Sequence, residues 1–84
     1  MKKYNINNYM YVQITEAGFE HLNKYFPEDY IKHCVENKKV EIDGETWYQL
    51  QCHEAFELFP RHFSEEVLFK TTVMFEEKDF EEII

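Results

Sequence analysis

Apolar and polar positions alternate over Tyr9-Met-Tyr-Val-Gln-Ile14, and the residues favour β structure, so this stretch predicts a strand. Thr15 follows as a helix N-cap, and Phe19, Leu22 and Phe26 then recur at i, i+3, i+7, one face of a helix that Pro27 ends. Gly18 weakens that helix by about 1 kcal/mol relative to alanine, which points to a tight contact near its start. Pro27 can equally open a second helix. Its stripe is Tyr30, Ile31, Cys34 and Val35, with Glu28 and Asp29 at the positive end of the dipole, Lys38 and Lys39 past the other end, and Asn37 as the stop. Val40-Glu-Ile42, Asp43-Gly44 and Glu45-Thr-Trp47-Tyr48 read as a hairpin with a type I′ turn, Val40 facing Trp47 and Glu41 facing Thr46. Cys52, Ala55, Phe56 and Phe59 give a third helix, stopped by Pro60. After the connection Arg61-His-Phe-Ser64, the alternation of Val67, Phe69, Thr71, Val73 and Phe75 predicts a half-buried strand. Phe80, Ile83 and Ile84 are expected to dock a last helical turn, leaving Glu77, Asp79, Glu81 and Glu82 in water. The order implies an α+β fold: one domain over residues 1–84, with a small, mainly antiparallel sheet and about three helices packed on one face.

Composition narrows the function. Seventeen Asp and Glu stand against nine Lys and Arg in 84 residues, a formal charge of −8, which disfavours a basic nucleic-acid-binding surface. A hydrophobic content of 44% excludes disorder from low hydrophobicity. No apolar run approaches the roughly 18 residues that span a bilayer. Tyr and Asn interrupt the first residues, so a secretory signal is not expected and the cytoplasm is the expected location. There Cys34 and Cys52 would be thiols. Charge is uneven: residues 1–15 carry two lysines and no acid, whereas residues 65–84 carry seven acids and two lysines. The preference for Phe, Tyr, Ile, Asn and Lys over Gly, Ala, Arg and Pro fits an AT-rich genome, such as that of a low-GC bacterium or its phages.

Few residues suggest chemistry. His53-Glu-Ala-Phe-Glu57 is half of a zinc-protease helix motif, but glutamate stands where the second histidine belongs, so a solvent-facing ion pair is expected. His33-Cys34 and Cys52-His53 lack the knuckle spacing of zinc sites, and adjacent helical residues diverge by about 100°. Neither cysteine has a cationic setting that would stabilise a thiolate. There is no Gly-rich phosphate loop, and Ser64, followed by Glu65-Glu66, reads as a cap. No enzyme, metal or cofactor is expected. The acidic run is either a solvated face or a set of carboxylates spaced to imitate nucleic-acid phosphates, which fall every ~1.7 Å along a duplex. On the second reading Glu65, Glu66, Glu76, Glu77, Asp79, Glu81 and Glu82 bind the partner, with Tyr25, Tyr30, Trp47 and Tyr48 as candidate anchors.

Val12-Gln-Ile14-Thr15-Glu-Ala-Gly18-x-x-x-Leu22, then Asp43-Gly44, Gln49-Leu50 and Phe69-Lys-Thr71-Thr-Val73, resembles small orphan proteins of tailed phages and prophages. Their pattern runs V-x-L-T-x-x-G, a D-G turn, a Q-L helix and a closing F-x-T-x-[IV] strand. This chain departs from it by placing cysteine and histidine where a tryptophan-containing helix start belongs. The resemblance implies a mobile-element origin and no particular reaction. With the size and acidity, it implies a non-enzymatic anti-defence inhibitor, similar to anti-CRISPR proteins, that occupies the basic groove of a host nucleic-acid-binding protein. Such a chain would be a monomer or homodimer touching neither nucleic acid nor membrane. Two alternatives stand beside it. One is a homo-oligomeric structural or assembly protein. The other is a winged-helix-like regulator, suggested by Ile14-Thr15-x-x-Gly18 but lacking a basic recognition helix.

Overall fold

The computed structural model describes residues 1–60 and 67–83. It is an α+β fold. Strands β1 (Lys2–Tyr4) and β2 (Tyr9–Val12) precede helices α1 (Glu16–Tyr25) and α2 (Glu28–Cys34). The hairpin β3 (Lys39–Ile42) and β4 (Glu45–Gln51) leads into α3 (Cys52–Leu58), and β5 (Met74–Phe75) and β6 (Phe80–Glu82) follow. The main sheet is antiparallel in the order β3-β4-β2-β5, and β1 and β6 form a separate two-stranded ribbon.

Helix α1 begins as its sequence requires. Thr15 Oγ1 accepts the Gly18 N–H at 3.1 Å, which satisfies a first-turn donor. The same hydroxyl donates to Val67 O at 2.7 Å, and Thr15 N–H donates to Leu68 O at 3.1 Å. Gly18 marks the contact its low helix propensity implied: a Cβ there would lie 2.0 Å from Leu68 O and 2.7 Å from Ile14 Cγ2. In the hairpin, Asp43 and Gly44 have φ of 50° and 80°, the positive pair a type I′ turn demands, and Val40 faces Trp47 while Glu41 faces Thr46.

Helices α1, α2 and α3 give Leu22, Ile31, Ala55 and Leu58 to one core with Met10, Val12 and Leu50 of the sheet. Because Met10 pairs with Leu50 and Val12 with Tyr48, these side chains share a sheet face, and Trp47, one residue along, points to the other. Trp47 is buried but stands outside the main cluster. Leu22, Leu50, Leu58 and Phe59 are almost wholly buried, and each such side chain contributes about 1.5–3 kcal/mol.

Four expectations need correction. The strand expected over residues 67–75 is broken. Ile14 bridges Phe69, and Tyr11 pairs with Met74, so two residues of β2's extension face four on the other side. The excess bows out, leaving Thr71 and Thr72 exposed. The last helical turn is instead a single 3₁₀ turn, Glu77–Asp79, followed by β6, because a partner strand, β1, is present to pair with it. Gln49-Leu50 lies inside β4, not at a helix start. Phe56, expected in the core, is 54% exposed, and Leu58 takes the buried position.

Candidate acidic interface

The acidic segment that begins at Glu76 is fastened to the sheet by a short hydrogen-bond network. Tyr11 OH donates to Glu76 Oε1 at 2.8 Å, Gln49 Nε2 donates to Tyr11 OH at 3.1 Å, and Lys78 Nζ lies 3.1 Å from Glu76 Oε2. The Tyr11 hydroxyl and then Lys78 hold the Glu76 carboxyl below the usual carboxylate range. The same bond, first, and burial, second, push the Tyr11 hydroxyl up. Tyr4 packs between Phe75 and Phe80, with ring centroids 4.8 and 4.9 Å away, and its hydroxyl donates to Tyr9 O. Burial, and then the Asp79 carboxylate, raise its pKa.

The β1–β6 ribbon brings the basic start of the chain to its acidic end. Lys2 opposes Glu82 and Lys3 opposes Glu81, with N···O distances of 3.7 and 3.3 Å. Glu81 and Glu82 are consecutive on a strand, so they project to opposite faces of the ribbon. Glu77 and Asp79 form no ion pair among the described residues. Asp79 lines a pocket of about 280 Å³ with Lys3, Tyr4, Asn5, Asn8 and Glu81.

The seven expected contact residues are therefore not one array. Glu65 and Glu66 lie outside the described residues. Of the five that are described, Glu76, Glu81 and Glu82 are ion-paired, and Glu77 and Asp79 are without such a pair. The strip holds five carboxylates and three lysines, Lys2, Lys3 and Lys78, for a net −2. The rest of the described chain holds ten carboxylates and five lysines, a net −5. Most of the negative field thus comes from the helices and hairpin. The opposite charges at the two ends of the sequence were the available signal that these ends pair.

Among the candidate anchors, Tyr25 and Tyr30 are half exposed, Tyr48 is partly buried and Trp47 is buried. Sequence reasoning missed a mainly apolar groove of about 210 Å³ between α3 and β5, lined by Met10, Cys52, Phe56, Phe69, Thr71, Val73 and Phe75. Helical spacing gave no sign of it, since Phe56 fits the buried stripe equally well. His53 and Glu57 form the expected i,i+4 pair at 3.5 Å. Cys34 and Cys52 are free thiols, and burial pushes that of Cys52 up. Among the described residues no three His, Cys, Asp or Glu side chains converge as metal ligands, and no helix is long and apolar enough to cross a membrane. No protein-family model matches the chain, and no curated protein or solved structure shows significant similarity to it.

Proposed function

We propose that this chain is a non-enzymatic inhibitor of phage or prophage origin that binds the basic groove of a host nucleic-acid-binding defence protein, in the manner of anti-CRISPR proteins. The observation that carries the reading is a net charge of −8 on 84 residues, of which the described residues hold fifteen carboxylates and eight lysines, a net −7; none of those side chains is buried, so this charge faces water. Such a field steers a cationic surface into encounter and repels nucleic acid. The internal lysines modify the mechanism without removing it. Lys2–Glu82 and Lys3–Glu81 are exposed pairs, of a kind worth about 0–1 kcal/mol, so a partner's Lys or Arg can replace the internal cation at little cost. Glu77 and Asp79 are open to contact without any exchange.

The test is capture from nuclease-treated lysate of a low-GC host, followed by a nucleic-acid-binding assay on the captured protein. Wild type is expected to retain a basic protein and block its nucleic-acid binding. Glu77→Lys/Asp79→Lys should lose both effects and stay folded, since neither carboxylate is in an ion pair. Equal capture by the double variant at low and high salt would overturn the reading.

A further inference from the structure

The geometry points to the groove between α3 and β5 as the anchor site of this interface, receiving one large aliphatic or aromatic side chain from a lysine- or arginine-rich segment of the partner. The inference rests on the basic-partner reading above. Exposed carboxylates give on-rate and orientation, while tight binding needs an apolar group sunk into a desolvated pocket. None of the four candidate anchors of the sequence lines this groove.

The groove has a structural cause. Between Phe69 and Met74 the chain has two residues more than the β2 extension it faces, so it bows outward there. Met10 and Phe69, almost fully buried, form the floor. Phe56 and Phe75, 54% and 38% exposed, form the walls, and Val73, Cys52 and the exposed Thr71 complete the lining. At about 210 Å³ it is smaller than the roughly 300–1,000 Å³ of small-molecule sites, which suits a single side chain. Its wall is held firmly. The N–H groups of Cys52 and His53 donate to Asn8 O and Ile6 O at 2.9 and 3.0 Å, fixing the start of α3, while the Phe75 ring packs edge-on against Tyr4.

Charge selects the occupant. The lining carries no ionised group, and Glu57 follows Phe56 on the outer side of α3, its side chain 75% exposed. A second copy would bring one −8 surface onto another, and an acidic segment meets the same repulsion. A cationic segment gains from the field as its apolar side chain enters.

The probe is a short lysine-rich peptide with one central phenylalanine, titrated while the methyl resonances of Met10 and Val73 are followed. Those resonances should shift. Replacing the peptide's phenylalanine by alanine should weaken binding roughly tenfold or more. Phe56→Ser in the protein should do the same and leave the fold intact, because this ring lies outside the buried cluster. If the alanine peptide binds equally well, the groove is not the anchor site, although the basic-partner reading stands. If a glutamine-for-lysine peptide with the phenylalanine binds as tightly as the lysine one, the cationic occupant and the reading beneath it both fail. If the methyl signals shift with protein concentration alone, the groove belongs to a second copy, and the proposal is overturned.

Discussion

Gly18 and Glu76 show how single residues hold this fold for different reasons. The obstacle beside Gly18 is the Leu68 carbonyl, which also accepts the Thr15 N–H, so it cannot retreat without breaking the start of α1. Gly18→Ala should therefore destabilise by about 2–3 kcal/mol, although alanine is the better helix former, and urea denaturation will read it. Glu76 acts through ionisation. Its carboxyl titrates below the range of an unfolded glutamate, about 4.3, so its contribution is present above that range and is lost as pH falls through the folded value. Tyr11 is the reverse: its pKa is raised, so its contribution is present below about 10 and is lost as pH climbs through the folded value. Glu76→Gln should lower Tm at neutral pH, with the gap to wild type closing in acid. A gap that persists unchanged into strong acid would show that ionisation is not its source.

The ribbon of β1 and β6 is held mainly by its aromatic side. Phe80 lies 4.9 Å from Tyr4 and 5.8 Å from Phe75, whereas the lysine–glutamate pairs are exposed. Phe80→Ala should lower stability by about 2 kcal/mol, less than for a fully buried ring. It should also speed hydrogen exchange at the Ile83 N–H, which donates to Met1 O at 2.9 Å, before the hairpin loosens. Exchange that changes uniformly across the molecule would mean that the ribbon does not open by itself. This ribbon also marks where the sequence became illegible. The Asp43-Gly44 hairpin, the Thr15 cap and α1 were readable because turn chemistry, capping and helical period act between neighbours in the chain. The bow after Phe69 was not, because alternation of Val67, Phe69, Thr71, Val73 and Phe75 says nothing about how many residues the facing strand offers. Lys2-Lys-Tyr4 is too short and too polar to declare itself a strand, and β6 forms because β1 is there to receive it. Of the candidate site, the acidic residues could be named in advance. Their pairing with Lys2, Lys3 and Lys78 and the nearby groove are products of tertiary contact.

At the scale of the whole molecule, the net charge and its placement have separate consequences. The domain extends 45 × 29 × 21 Å, several times the Debye length of about 8 Å at physiological salt but comparable with the roughly 30 Å at 0.01 M. At low salt, then, a cationic probe responds to the summed charge wherever it sits. Glu77→Gln/Asp79→Gln and Glu20→Gln/Glu36→Gln each remove two charges, the first pair from the proposed contact strip and the second from the helical side. Both variants should slow association with a soluble polylysine probe to the same degree at low ionic strength. With the captured partner at physiological salt, screening isolates the local field, so only Glu77→Gln/Asp79→Gln should slow association appreciably. Stopped-flow association across an ionic-strength series separates the two regimes. If the two variants remain equivalent at physiological salt, the strip has no privileged place in recognition, and the helices and hairpin, which carry ten carboxylates and four lysines, are the better place to look for the contact face.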